Sequence, residues 1–209
     1  MASNQHSINL TSVQSIRKSV LLAFIVVGIA FVLVGDSTWP SGSFVHEAIE
    51  FSGLVLIVLC ICGRMLCTIH IGGRKIAALV TDGPYSIVRN PLYSLSIVGA
   101  IGAGAQLGSI TLALATGIVT WIVFLLVVLK EEKVLLERFG KSYEDYVARV
   151  PRLVPNFSLW RDVDIVEVNP RLVRITALDA SIFLLAIPLA EGLEYLHDIG
   201  LLPNLIALP

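Results

Sequence analysis

From Pro91 to Leu129 the chain runs 39 residues without one Asp, Glu, Lys or Arg. A membrane-spanning helix needs about 17–25 predominantly apolar residues. The stretch is therefore too long for one span and about right for two. Gly102, Gly104 and the run Gln106-Leu107-Gly108-Ser109 supply a place to turn between them. Composition agrees: hydrophobic residues make up 56% and charged residues 15%, with a mean hydropathy of +0.83. Soluble domains average roughly 45–50% apolar and about 25% charged. A water-soluble globule and a disordered tail are both excluded. With 15 Lys+Arg against 16 Asp+Glu, the net charge of −1 gives no basic surface for a nucleic-acid partner.

The other spans follow from the same count of uncharged runs. Ser19–Gly35 carries no charge, and Phe51–Gly63 can be lengthened if Glu50 and Arg64 lie near the interfaces. Ile175–Ala190 makes a fifth, weaker span, with Asp179 in its first turns and Pro188 near its end. Asp179 is read as snorkelling or pairing with Arg174, and the tail Ile199–Pro209 as interfacial. The fold class expected is all-α: a single integral membrane helical bundle over 1–209, with about five spans and a cytoplasmic helical cap. Its catalytic core covers about 70–155, and a C-terminal extension with the fifth span covers about 156–209. Lys and Arg precede span one or lie between spans two and three and between four and five, while Asp36–Glu50, Gln106–Ser109 and Glu191–Pro209 carry none. The positive-inside rule then places the N-terminus in the cytoplasm and the C-terminus outside. The first apolar run is long enough to span and no small-residue cleavage pattern follows it, so no cleavable signal peptide is expected. Cys60, Cys62 and Cys67 lie in or beside the second span, where an odd count reads as buried thiols rather than a disulfide framework. His70 is the one further ligand type near them, and no metal is expected there.

Between spans two and three the sequence becomes specific. Asp82-Gly83-Pro84 is a turn, and Asn90-Pro91 is an N-cap followed by proline at the first helical position. The third span should start there, its positive dipole end ready for a carboxylate or phosphate. Past the fourth span, Lys130-Glu131-Glu132-Lys133 continues the helical pattern to Phe139. A helix over Ile110–Phe139 would be about 45 Å long against a hydrocarbon core of roughly 30 Å, and Gly140 is a natural stop. Ser142 with Asp145 resembles a capping box, and Tyr143, Tyr146, Val147 and Val150 form one apolar face of a short helix ended by Pro151 and Pro155. Paired carboxylates at a membrane mouth are costly unless they act. Small residues from Gly99 to Gly104 read as close helix packing.

Gly-Pro-Tyr at 83–85, Arg89-Asn90-Pro91-Leu92-Tyr93 opening a helix, Glu131-Glu132, Phe139-Gly140 with Tyr143 and Tyr146, and Val150-Pro151 ending at Pro155 occur in a fixed order. Together they resemble the isoprenylcysteine carboxyl methyltransferase and phospholipid methyltransferase superfamily of integral membrane enzymes. The resemblance covers about 77–155. It implies S-adenosylmethionine bound between the cytoplasmic helix ends, with a lipophilic acceptor entering from the bilayer. By the same resemblance Ala77, Ala78, Leu79 and Val80 line the cofactor pocket. Tyr85, Asn90, Pro91, Leu92 and Tyr93 continue it, Glu131 closes it, and His70 takes the place of a polar side chain used near there. Arg89, the Tyr93 hydroxyl and the helix N-terminus suit the methionine carboxylate. Arg89 and Glu132 are the catalytic candidates, Glu132 as base for an amine acceptor.

Two positions depart from the family pattern. Asn90 stands where His is frequent, so a charge is missing. Val127 stands one turn before Glu131, where prenylcysteine enzymes carry an Arg for the substrate carboxylate. A phospholipid amine, a small thiol or another lipophilic acid thus stays beside prenylcysteine as acceptor. A catalytically inactive scaffold that kept the architecture is the competing class. A transporter is disfavoured, because spans three and four offer little polar beyond glycine at mid-bilayer.

Overall fold

A computed structural model of the chain describes residues 35–72, 78–202 and 206–209. The first predicted span lies outside them, apart from Gly35. The described residues are mostly helical, and three helices are long and apolar enough to cross a membrane: Phe44–Ile71, Ile110–Phe139 and the bent run Pro170–His197. This is a helical membrane protein. Its elements are β1 (Gly35–Ser37), α1 (Phe44–Ile71), α2 (Pro84–Ile87), α3 (Pro91–Ala105), α4 (Ile110–Phe139), α5 (Lys141–Arg149), α6 (Pro170–Ser181), α7 (Ala186–Asp198) and β2 (Ile206–Leu208).

The uncharged stretch divides as its residues dictate. Helix α3 ends at Ala105, Gly108 turns with φ +60°, and Ser109 caps α4 by accepting from the Leu112 amide. Helix α4 then runs 30 residues without a break to Gly140, whose φ of +49° only glycine adopts freely. Its last turns stand clear of the apolar segment and carry α5.

Helix α3 is the centre of the bundle. Gly53 on α1 and Gly102 on α3 approach backbone to backbone: a Cβ on Gly102 would lie 2.6 Å from the Gly53 carbonyl oxygen. Gly99 leaves the same kind of space for the Cys60 sulfur. Thr116 on α4 donates to the Ala100 carbonyl at 3.0 Å, and Arg64 on α1 donates to Ser96. Lipid tails are as apolar as leucine, so such close approach and hydrogen bonding, rather than hydrophobic exclusion, hold neighbouring spans together. Cys60 and Cys67 are buried in this seam, whereas Cys62 is exposed, and all three are free thiols.

The C-terminal extension differs from a simple fifth span. Asn169 caps α6 and Pro170 occupies its first turn, then a 3₁₀ stretch at Ile182–Leu185 bends the path into α7. Thr68 on α1 donates to Thr176 on α6 at 2.9 Å, fixing it to the bundle. Asp179 is exposed. The tail read as interfacial ends in β2, which pairs in parallel with β1 in the register Gly35 to Ile206. Segments lacking Lys and Arg therefore gather at one end. Ser37 donates to the Gly108 carbonyl, Gln106 to the Glu50 carbonyl and Ser109 to the Pro209 carbonyl.

Candidate methyl-transfer cleft

At the opposite end, the chain from 83 to 94 is laced to the chain from 151 to 161. The Arg89 amide donates to the Pro151 carbonyl at 2.8 Å, the Asn156 amide to Ile87 at 2.9 Å and the Gly83 amide to Arg161 at 2.8 Å. Ser94 Oγ donates to the Leu153 carbonyl at 2.6 Å. Helix α5 closes the third side. Tyr143, Tyr146 and Val150 pack on Leu79, Leu135 and Phe139, and Tyr146 donates its hydroxyl to the Tyr85 carbonyl at 2.7 Å. Two details of α5 correct the sequence reading. Its N-cap is Gly140, with no side-chain cap, so Ser142 and Asp145 form no capping box; Val147 is 38% exposed and leaves the apolar face.

Between these walls lies a narrow cleft bounded by Ala78, Leu79 and Val80, by Tyr85 and Arg89-Asn90-Pro91-Leu92-Tyr93, by Glu131 and Leu135, and by the α5 tyrosines. The sequence-predicted residues converge here, with three exceptions. Ala77 lies outside the described residues. His70 does not line the cleft: its Nδ1 lies 3.0 Å from the Leu66 carbonyl and its ring packs on the Gly83 turn. Glu132 is the third. It points away from the cleft and is buried, held by Arg152 Nε and Nη2, both at 3.0 Å, by Asn90 Nδ2 at 3.3 Å and by Arg89 Nη1 at 3.4 Å. Both oxygens of this carboxylate are thus occupied by protein donors and neither is turned to the cleft.

Asn90 is spent in the same knot. It occupies the N-cap of α3 but makes no cap bond, donating instead to Glu132 and to the Arg152 carbonyl at 3.2 Å. Sequence reasoning does not single out Arg152; its place in the Val-Pro-x-x-x-Pro ending is the one available signal.

The cleft presents both signs of charge. Glu131 Oε1 accepts from the Tyr93 hydroxyl at 2.7 Å, so Tyr93 orients the carboxylate rather than standing free for an anion. On two other lining residues, the buried Tyr85 hydroxyl and Arg89 Nε have no hydrogen-bond partner among the described residues. Buried donors of this kind are nearly always satisfied, and two lining one cleft point to an anionic or carbonyl group supplied from outside. Burial holds all three phenols protonated: the Tyr143 hydroxyl is pushed up to about 12, and those of Tyr85 and Tyr146 are also raised. The cleft encloses only about 60 Å³, space for a few waters. A nucleoside-sized ligand needs its walls to part.

The chain resembles known proteins along most of its length. Residues 18–142 match the phospholipid methyltransferase family. The nickel-cobalt-cadmium resistance protein NccN of Alcaligenes xylosoxydans xylosoxydans is 30% identical over 177 residues, covering 85% of this chain and 82% of that one. The cobalt-zinc-cadmium resistance protein CzcN of Cupriavidus metallidurans is 29% identical over 180 residues, covering 86% and 82%. The protein-S-isoprenylcysteine O-methyltransferase B of Arabidopsis thaliana is 38% identical over 77 residues, 37% of this chain and 39% of that one. No solved structure matches. With the family match reaching from ahead of α1 to α5 and its motif residues gathered round one cleft, the chain belongs to the phospholipid methyltransferase family of membrane proteins.

Proposed function

We propose that the protein is an S-adenosylmethionine-dependent methyltransferase whose acceptor is lipophilic and reaches the cleft from the bilayer. The observation that carries this reading is the pairing of opposite charges within one cleft. Tyr85 and Arg89, each with an unpartnered donor among the described residues, line it together with the Tyr93-oriented carboxylate of Glu131. A zwitterionic amino-acid group fits that donor set: a carboxylate toward Arg89 and Tyr85, an ammonium or hydroxyl group toward Glu131. Ala78, Leu79, Val80 and Leu92 give the apolar wall that a nucleoside needs. The cofactor supplies an electrophilic methyl group on a sulfonium.

This chain's residues bind, orient and exclude water. Displacement at a methyl carbon requires the acceptor atom in line, and holding it there is the main contribution a protein makes. A cleft that excludes water would keep the acceptor atom desolvated and shield the cofactor's methyl group from hydrolysis. Glu132 acts as a positioning residue that holds Arg89, Asn90 and Arg152 in one frame, rather than as the base. The acceptor class follows from Val127, which is buried and offers no cation. An amine or a thiol needs none there once it has released its proton to water at the mouth of the cleft, and we place a phospholipid amine or lipophilic thiol ahead of a prenylcysteine carboxylate. Lys and Arg cluster toward the cleft end, which supports a cleft at the cytoplasmic face. The names of the two relatives that span most of the chain add exposure to divalent transition metals as a setting.

The test is direct. Purified protein is incubated with methyl-labelled S-adenosylmethionine and a total lipid extract, and cofactor binding is followed by calorimetry. Labelled lipid is expected. Binding without any product would keep the cofactor site and remove the enzyme; no binding at millimolar cofactor would remove both.

A further inference from the structure

The end of the bundle remote from the cleft carries a second polar site. His46 lies in the first turn of α1, only 2% exposed, and three constraints fix its ring. Gly108, with φ +60°, packs against one face so closely that any Cβ there would collide with the imidazole. Nδ1 lies 3.2 Å from the Trp39 carbonyl oxygen. Nε2 faces two carboxylates, Glu194 Oε1 at 2.8 Å and Glu50 Oε1 at 3.4 Å. A carbonyl oxygen can only accept, so Nδ1 carries a hydrogen. In the neutral ring Nε2 then presents a lone pair to two oxygens that also present lone pairs. That arrangement holds only if a cation or an added proton lies among them.

The spacing admits a cation. Ligands about 2.0–2.1 Å from a first-row divalent metal are about 2.8–3.4 Å from one another at adjacent vertices of an octahedron or tetrahedron. The two nitrogen–oxygen distances fall in that range, and all three ligand atoms lie within 4.8 Å of one another. A ring nitrogen held to a backbone carbonyl while the other faces a metal is how ligating histidines are usually oriented. The surroundings are anionic as well. Glu47 and Glu191 join Glu50 and Glu194 around one cavity, and no Lys or Arg occurs from 36 to 63 or from 175 to 209. Four carboxylates without a nearby cationic side chain raise the local concentration of divalent cations beside His46.

We infer that His46, Glu50 and Glu194 form a binding site for a divalent transition-metal ion, at the opposite end of the bundle from the methyl-transfer cleft. One imidazole and two carboxylates suit Zn²⁺, Co²⁺ or Ni²⁺ over thiol-seeking ions such as Cu⁺, and three protein ligands leave positions open to solvent. The site joins α1 to α7, so occupation ties the C-terminal extension to the bundle.

The experiment uses the full chain in detergent, titrated with Co²⁺ and followed by its visible absorption and by equilibrium dialysis. One Co²⁺ per chain is expected, displaced by Zn²⁺. Glu194→Gln, which keeps shape and hydrogen bonding, and Glu50→Gln should each weaken binding by at least about tenfold, as His46→Gln should. A chain with Cys60, Cys62 and Cys67 changed to Ser should bind as the parent does, with no thiolate charge-transfer band. Apo melting temperatures of the two Gln variants at glutamate monitor folding. Co²⁺ binding that survives Glu194→Gln and Glu50→Gln, or that disappears with the thiols, overturns the proposal. So does the absence of stoichiometric binding, which would assign the cluster to an imidazolium held between two carboxylates.

Discussion

The two adjacent glutamates of α4 divide the work by helical geometry. Neighbours on a helix point about 100° apart, so Glu131 enters the cleft while Glu132 turns to Arg89, Asn90 and Arg152. Their neutral replacements should fail differently. Glu131→Gln removes a charge-assisted hydrogen bond worth about 1.5–3 kcal/mol, so cofactor affinity should fall roughly ten- to a hundredfold while the melting temperature stays near that of the parent. Glu132→Gln leaves the buried Arg89 guanidinium without its counter-charge, a loss on the order of 3 kcal/mol to the fold. It should lower the melting temperature first and cofactor affinity second. Calorimetry and thermal unfolding on both variants separate the roles, and the same profile in both would remove the distinction. The sequence shows that a pair of carboxylates stands here but not which one faces in. That choice depends on Arg152, 20 residues beyond Glu132, arriving from a separate segment. Asn90 is similar. Its type suggests a cap, yet its amide is drawn to Glu132 and to the Arg152 carbonyl, partners that no local pattern reveals.

Among the helices and strands, what is legible in the sequence is what a local signal dictates. The extent of α4, its stop at Gly140, the start of α3 at Pro91 and the break between Ala105 and Ile110 all follow from runs, caps and glycines. The β1–β2 pairing and the bend at Ile182–Leu185 do not, because they arise from packing between distant segments. Helix α5 combines both kinds of information: its tyrosine spacing is local, while its seat on Leu79 and Tyr85 is not. That seat makes a pH prediction. Buried Tyr143 titrates near 12, with Tyr146 and Tyr85 raised too, whereas an exposed tyrosine in the unfolded chain ionises near about 10. Above that pH the unfolded state holds fewer protons than the folded one, so stability falls as pH rises. The contribution is complete below about pH 10 and is lost as pH climbs through the folded values. Thermal unfolding should therefore show a steep alkaline limb, shallower in Tyr143→Phe, which keeps the ring and removes the titrating group. Parallel limbs in the two proteins would mean that α5 does not bury its phenols in solution.

Over the length of the bundle, charge is segregated by end. Segments free of Lys and Arg, at 36–50, 106–109, 191–202 and 206–209, come together round β1, β2, Gly108 and His46. Arg89, Arg152 and Arg161 lie at the other end, knotted round α2 and the start of α3. The positive-inside rule predicts opposite sides of a bilayer for these segments, and the structure brings each set together across long stretches of chain, such as the 148 residues between His46 and Glu194. Two positions report on the resulting orientation without touching either site. Gly42, φ +80° with open space for 4 Å around the place a Cβ would take, precedes the cap of α1, and exposed Ser142 lies in α5 beyond Gly140. In a background whose three native cysteines are replaced by Ser, single cysteines at these positions should react with a membrane-impermeant maleimide from opposite faces. Ser142→Cys should label only in inverted vesicles, and Gly42→Cys only in intact cells. The separation is enforced by α4: 30 residues, about 45 Å, start beside the remote end and finish at α5. No rearrangement that keeps this helix across the bilayer can bring both cysteines to one face. Labelling of both from the same side would therefore mean that α4 does not span, and the cleft would lose its assigned side of the membrane together with the basis for an acceptor drawn from the bilayer.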